Sequence, residues 1–201
     1  MLPKQFKPNH LYDLIRLGRN NDGGYLVGKN SVLNANALIS FGVHDDCSFE
    51  KDFKNLNPTK VLCFDYIVDN KFWFKKFRRA LRKFFKGEIW LIKEFFFNIY
   101  NHKKFFNKKN SFFYKKKIVG KKDNNLQSNE INFIENIDLK LIHVHPNNNS
   151  NCVNNIPIVL EFSFERNPIS VGDNVSFPHY LDQKNNKRED DLSLDFFSDA
   201  K

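Results

Sequence analysis

The segment from Ala37 to Asp65 constrains the fold more than any other. Ala37-Leu-Ile-Ser-Phe-Gly-Val43 is a short apolar run ending beside a glycine. His44-Asp-Asp-Cys-Ser48 then supplies capping residues ahead of the helical pattern Phe49-Glu-Lys-Asp-Phe53. Asn57-Pro58 breaks that helix, and Lys60-Val-Leu-Cys-Phe-Asp65 follows as a second apolar strand with a carboxylate at its end. Strand, helix and strand in this order imply a crossover between parallel strands. The expectation is therefore an α/β fold on a mainly parallel sheet.

The rest of the chain extends that pattern. Asp22-Gly-Gly-Tyr25 has the chemistry of a hairpin turn between short strands, and is weighed as a turn ahead of a site. From Phe72 to Phe85, Phe74, Phe77, Leu81, Phe84 and Phe85 recur every three to four positions with Lys and Arg in the gaps, which predicts an amphipathic basic helix. Gly87 separates it from a second helix over Glu88 to Tyr100. Ser111 to Val119 reads as a third strand ending at Gly120, and Lys121 to Asn129 as a polar connector. Two further strands are expected over Leu139 to His145 and Ile156 to Phe164, separated by the Asn-rich loop Pro146 to Asn155. The tail after Pro168 reads as irregular.

With 201 residues and 41% hydrophobic content, the chain is sized for one core, so 1–201 is expected to be a single domain. Within it, 71–110 reads as a basic helical insertion and 168–201 as the irregular tail. The opening residues lack the apolar core of a signal peptide, and no stretch reaches the roughly 18 apolar residues of a membrane span. Cys47, Cys63 and Cys152 are odd in number and widely spaced, which suggests neither a disulfide framework nor a thiolate metal site. A cytoplasmic location is expected.

The net charge of +9 is regional. Lys71 to Lys117 holds 16 Lys or Arg against Glu88 and Glu94, leaving the remainder at about −5, and the same stretch holds 16 aromatic residues. Its periodicity argues first for a packed helix with a solvated basic face. An anionic membrane or glycan carrier ranks second as a partner, which would place the chain at the inner membrane surface. Nucleic acid ranks last, because recognition-helix and RNP-type motifs are absent.

Several residues have the spacing of a ligand site. A doubly wound sheet binds its ligand beyond the carboxyl ends of its strands, where a glycine admits a nucleotide-like group and helix amides face it. Phe41, Gly42, Asp45 and Asp46 occupy that place, and Asp65, 23 residues after Gly42, stands where a carboxylate commonly takes ribose hydroxyls. His143 and His145 alternate on a strand and share a face, which suits a metal pair or a general base beside a substrate hydroxyl. No third ligand is evident nearby, so no metal set is assigned, and hydrogen-bonded structural groups are the commoner use of such a pair. Asn147 and Asn148 are placed to join that site through their amides. Glu161, inside an apolar strand, must be paired, solvated or functional.

Arg16-Leu-Gly-Arg-Asn-Asn-Asp-Gly-Gly-Tyr-Leu-Val27 followed by Ser40-Phe-Gly-Val-His-Asp-Asp-Cys-Ser-Phe-Glu50 resembles the amino-terminal signature of FkbM-like methyltransferases. Leu141-Ile-His-Val-His-Pro-Asn-Asn148, Ile156-Pro-Ile-Val-Leu-Glu161 and Pro178-His-Tyr-Leu-Asp182 resemble the carboxyl-terminal part of the same family. The resemblance implies a Rossmann-like sheet and S-adenosylmethionine held by Gly42 and Asp65. It also implies methyl transfer to a hydroxyl on a sugar or surface-polysaccharide precursor, with His143 or His145 as base or acceptor-positioning group. Gly120 to Glu130 lacks the acidic Lys-x-Asp-Ile-Glu-Gly-type strand motif expected of that family. The sheet is thus expected to be truncated, and the chain to be a reduced enzyme, a degenerate paralogue or the product of an internal deletion. A non-catalytic binding module and a basic peripheral protein are the rival readings.

Overall fold

Gly18 and Gly24 lie opposite each other where two short strands meet, and both neighbourhoods need a residue without Cβ. A computed structural model of the chain describes residues 6–115, 138–149, 152–153, 156–192 and 194. Strands β1 (Leu11–Tyr12), β2 (Leu14–Gly18) and β3 (Gly24–Gly28) precede the short helix α1 (Lys29–Asn34). β2 and β3 pair antiparallel in the register Leu14 to Gly28 and Gly18 to Gly24, so Asp22-Gly-Gly-Tyr25 does serve the turn. Gly18 has φ +93°, and a Cβ there would lie 2.2 Å from the Gly23 carbonyl oxygen.

The crossover expected from Ala37 to Asp65 is present. Strands β4 (Ala37–Phe41), β5 (Lys60–Asp65) and β6 (Ser111–Lys115) form a parallel three-stranded sheet in that order. Helix α2 (Ser48–Leu56) joins the first two strands, and α3 (Asn70–Phe84) and α4 (Trp90–Phe106) lie between the last two. The N-cap position of α2 is Cys47, which makes no side-chain capping bond, and Asp46 Oδ1 just before it accepts from the Ser48 amide at 3.0 Å. Helix α3 starts earlier than its hydrophobic period suggested, because Asp69 Oδ1 accepts from the Phe72 amide at 2.8 Å.

Burial alternates along this sheet. Val61 and Cys63, fully buried, pack with Val43, Cys47 and Phe105. The intervening residues form the other face, where Phe64 lies 5.5 Å from Phe41 and 4.9 Å from Tyr114 between ring centroids. That second face is largely open: Ile39 is 55% and Phe41 62% exposed, and Phe112 and Tyr114 are exposed too. Parallel strands are ordinarily covered on both sides.

The remaining strands are β7 (Lys140–Pro146), β8 (Cys152–Val153), β9 (Ile156–Pro157), β10 (Leu160–Glu165) and β11 (Ser170–Gly172). β7 pairs with β10, β8 with β9, and β1 with β11, all antiparallel. The expected parallel character therefore holds for β4 to β6 and not for the other described pairings. Tyr12, Leu14, Leu26 and Ile142 form a second core, joined by Leu181. Ser163 Oγ donates to the Leu26 carbonyl at 2.5 Å.

Two compact units result: Met1–Asn34 with Lys121–Lys201, and Ala35–Gly120. The strand expected over Ile156 to Phe164 is interrupted at Ile158 and Val159, and the Asn-rich loop carries β8. The tail carries β11, paired to the start of the chain. The end of the third expected strand, the connector 121–129 and the place of the missing acidic motif fall outside the described residues. Among the described residues, no helix is long and apolar enough to cross a membrane.

Candidate functional site

The candidate residues fall into two clusters, one in each unit. In the unit Ala35–Gly120, the chain leaves β4 through Gly42, whose amide donates to the Phe64 carbonyl at 2.9 Å and whose φ is +70°. Apart from Gly42 itself and its two chain neighbours, no heavy atom lies within 4 Å of where a Cβ would stand. The backbone is thus open to an approaching group at the carboxyl end of the strand. Phe41 is exposed beside it.

The carboxylates in this cluster mostly serve the chain itself. Asp65 Oδ2 accepts from the His44 amide at 2.9 Å, and Oδ1 accepts from the amides of Ile67 and Val68 at 2.6 and 3.3 Å. A carboxylate offers about four acceptor positions, so about one remains. Asp45 is buried and accepts from Lys76 Nζ and from Asn98 Nδ2 at 3.0 Å, with His44 Nδ1 2.6 Å from its other oxygen. Burial pushes its pKa up, but Lys76 and Asn98 outweigh that and hold it below the usual carboxylate value. Asp46 accepts from the Ser48 amide at the start of α2. The same two residues that bind Asp45 border a cavity of about 220 Å³ between α3 and α4, lined also by Arg79, Leu91, Glu94 and Phe95. That is below the usual ~300–1,000 Å³ of a ligand pocket.

In the other unit, β7 alternates as expected and carries His143 and His145 on one face, ring centroids 6.4 Å apart and planes 16° from parallel. Asp182 meets them. His143 Nε2 lies 2.9 Å and His145 Nδ1 3.6 Å from Asp182 Oδ1, with the three side chains 5%, 8% and 3% exposed. None of these three atoms has a partner in hydrogen-bond geometry. Asp182 Oδ2 is held by the His179 amide at 2.8 Å. Burial pushes the Asp182 carboxyl up, yet the two imidazoles outweigh it and hold its pKa far below the usual range. For His145, burial lowers the pKa, and Asp182 and Glu161 raise it above the ordinary value.

A polar network backs the cluster. His145 Nε2 is 3.2 Å from Asn185 Oδ1, and Asn185 Nδ2 donates to Glu161 Oε1 at 2.9 Å. Asn147 Nδ2 donates to that same oxygen at 2.9 Å. Glu161, opposite His145 in the strand pairing, is therefore paired, as its place in an apolar strand required. Asn148 serves elsewhere, exchanging bonds with the backbone of Asn186 at 2.9 and 2.6 Å.

Sequence reading placed His143, His145 and Asn147 together but missed Asp182 and Asn185. The Pro178-His-Tyr-Leu-Asp182 segment carried a signal only through the family resemblance, and Asn185 carried none. Phe41, Gly42, Asp45, Asp46 and Asp65 do gather at the ends of β4 and β5. Burial pushes the Cys47 thiol up to about 12 and raises Cys63 as well, which disfavours the thiolate at both. Compared with known proteins, the chain matches no family model, no curated protein and no solved structure.

Proposed function

We propose that the chain is an S-adenosylmethionine-dependent O-methyltransferase of the FkbM-like type, or a reduced descendant of one. Its acceptor would be a hydroxyl of a sugar or surface-polysaccharide precursor. The observation that carries the reading is Gly42: a positive φ and open space at the carboxyl end of the first strand of a parallel β-α-β unit. The order β4-β5-β6 also agrees with one half of a Rossmann-like sheet.

Gly42 would admit the donor to the backbone, and Phe41 would offer it an apolar wall. Asp65 shapes the loop after β5 and keeps about one acceptor position for a ribose hydroxyl. When bound, the donor supplies an electrophilic methyl group. A chain that binds donor and methylates no sugar is the non-catalytic form of the same reading.

The test is calorimetric titration with S-adenosylmethionine and S-adenosylhomocysteine, with a melting curve to establish folding. Micromolar binding is expected, weakened at least about tenfold in Gly42→Ala, where the new methyl fills the open space. No heat from the folded wild-type chain at millimolar donor would sink the reading.

One observation favours a second role, contact with an anionic membrane. Where α3 passes into α4, Phe85 (78% exposed), Ile89 and Trp90 stand out among exposed Arg82, Lys86 and Lys93. Sedimentation with phosphatidylserine vesicles should be strong at low salt, and lost at high salt or in the Phe85→Ser, Trp90→Ser double variant. Equal binding to neutral vesicles, or none at low salt, would remove this role.

A further inference from the structure

We propose that His143, His145 and Asp182 form a site for one first-row divalent cation, with zinc(II) the ion that best matches two imidazoles and a carboxylate. His143 Nε2, His145 Nδ1 and Asp182 Oδ1 lie within 4.8 Å of one another. A tetrahedral ion bound at about 2.1 Å spaces its donor atoms about 3.4 Å apart. The observed 2.9 and 3.6 Å fall on either side of that value.

The hydrogen-bond network decides which atoms are free to ligate. Asn147 and Asn185 both point an amide nitrogen at Glu161 Oε1, so Asn185 turns its oxygen toward His145. That oxygen only accepts, and His145 Nε2 must donate to it. In the neutral ring, Nδ1 then carries a lone pair and faces Asp182 Oδ1, another acceptor, 3.6 Å away. Two buried acceptors facing each other need a proton or a metal cation between them, and the convergence of a third donor atom on the same point is what favours the metal. His143 Nε2 converges on the same oxygen, and none of the three is otherwise hydrogen-bonded.

The surroundings have the form of a metal's outer ligand shell. A ligating imidazole characteristically donates its other N–H to an oxygen, as His145 does to Asn185. The ligating carboxylate is likewise held, by the His179 amide on Asp182 Oδ2. The donor set excludes a preference for magnesium or calcium, which take oxygen ligands. The proposal is independent of methyl transfer, because every residue it uses lies in the unit formed by Met1–Asn34 and Lys121–Lys201.

The experiment is equilibrium dialysis of the chelator-stripped full chain against micromolar zinc chloride. Metal per chain is read by atomic emission, with the melting temperature measured before and after. One zinc per chain and a raised melting temperature are expected. Asp182→Asn and His143→Gln should each weaken binding at least about 100-fold, and Asn185→Ala, which keeps all three ligands, about 10-fold. Cobalt(II) should give the visible absorption of a low-symmetry site in the wild type and not in Asp182→Asn. A folded wild-type chain that retains no zinc overturns the proposal, and shows the cluster to hold a proton in place of a metal. Unchanged zinc affinity in Asp182→Asn and His143→Gln overturns it as well, by placing the ion elsewhere. Should a variant fail to fold, the wild-type and Asn185→Ala measurements decide.

Discussion

Asp65 and Asp182 are both buried aspartates beside a strand-borne candidate site, one in each unit, and they are used in opposite ways. Asp65 has both oxygens engaged by backbone amides, three in all. Asp182 has one oxygen on an amide and leaves the other facing two imidazoles without a hydrogen-bond partner. The difference teaches how to read a buried carboxylate. When fixed backbone donors consume it, the group is a fastening of the fold, and what it can still bind is small. When one oxygen stays uncommitted in a buried pocket, the missing partner is the informative part.

The largest effect that would test this contrast is Asp65→Ala. Stranding the buried amide of Val68 and the part-buried amides of His44 and Ile67 should cost about 2 kcal/mol in denaturant unfolding, because an unpaired buried donor costs roughly 1–3 kcal/mol and water reaches the other two. The loss should be the same with and without zinc. A loss below about 0.5 kcal/mol would mean that the loop after β5 does not depend on its carboxylate.

Glu50 extends the comparison with a smaller effect. It is buried, one oxygen accepts from Ser40 Oγ, and the other has no hydrogen-bond partner. Burial raises its pKa above the ordinary carboxylate value, and nearby Asp46 adds to the rise while the Ser40 bond opposes it. Folding therefore shifts Glu50 toward its protonated form relative to the unfolded chain. Its contribution to stability is fully present below the unfolded pKa of about 4.3 and is lost as pH rises through the higher folded value. Glu50→Gln should remove that dependence and stabilise the chain at neutral pH by on the order of 1 kcal/mol, since a neutral amide costs less to bury than a charge. Unfolding curves from pH 4 to 8 check it, and a destabilised variant at pH 7 would show that the charge is wanted.

The sequence carried the local part of this architecture well. Ala37 to Asp65 could be read because its strand, cap, helix and break are all short-range, and the β2–β3 turn because Asp-Gly-Gly permits few conformations. The shared face of His143 and His145 follows from the period of a strand alone. Asp182 and Asn185 could not be read in the same way, because they reach β7 from an irregular tail whose path is set by long-range bonds such as Asn148 to Asn186. The pairing of β11 with β1 is hidden for the same reason. The second face of the parallel sheet is a different case: Ile39, Phe41 and Phe64 have the composition of a strand buried on both sides, and only the structure shows Ile39 and Phe41 more than half exposed.

The chain's two units differ in one more respect, the order in which a ribosome would deliver them. Ala35–Gly120 is continuous, whereas its neighbour is assembled from Met1–Asn34 and Lys121–Lys201. The β2–β3 hairpin, marginal on its own, therefore finds its packing partners β7 and β10 only on the far side of Ala35–Gly120 in the chain. The three described strands of the parallel sheet meanwhile lie within that single continuous stretch. The histidine cluster, built wholly from residues of Lys121–Lys201, thus draws on a different stretch of chain from the parallel sheet, and neither needs the other's residues to be complete.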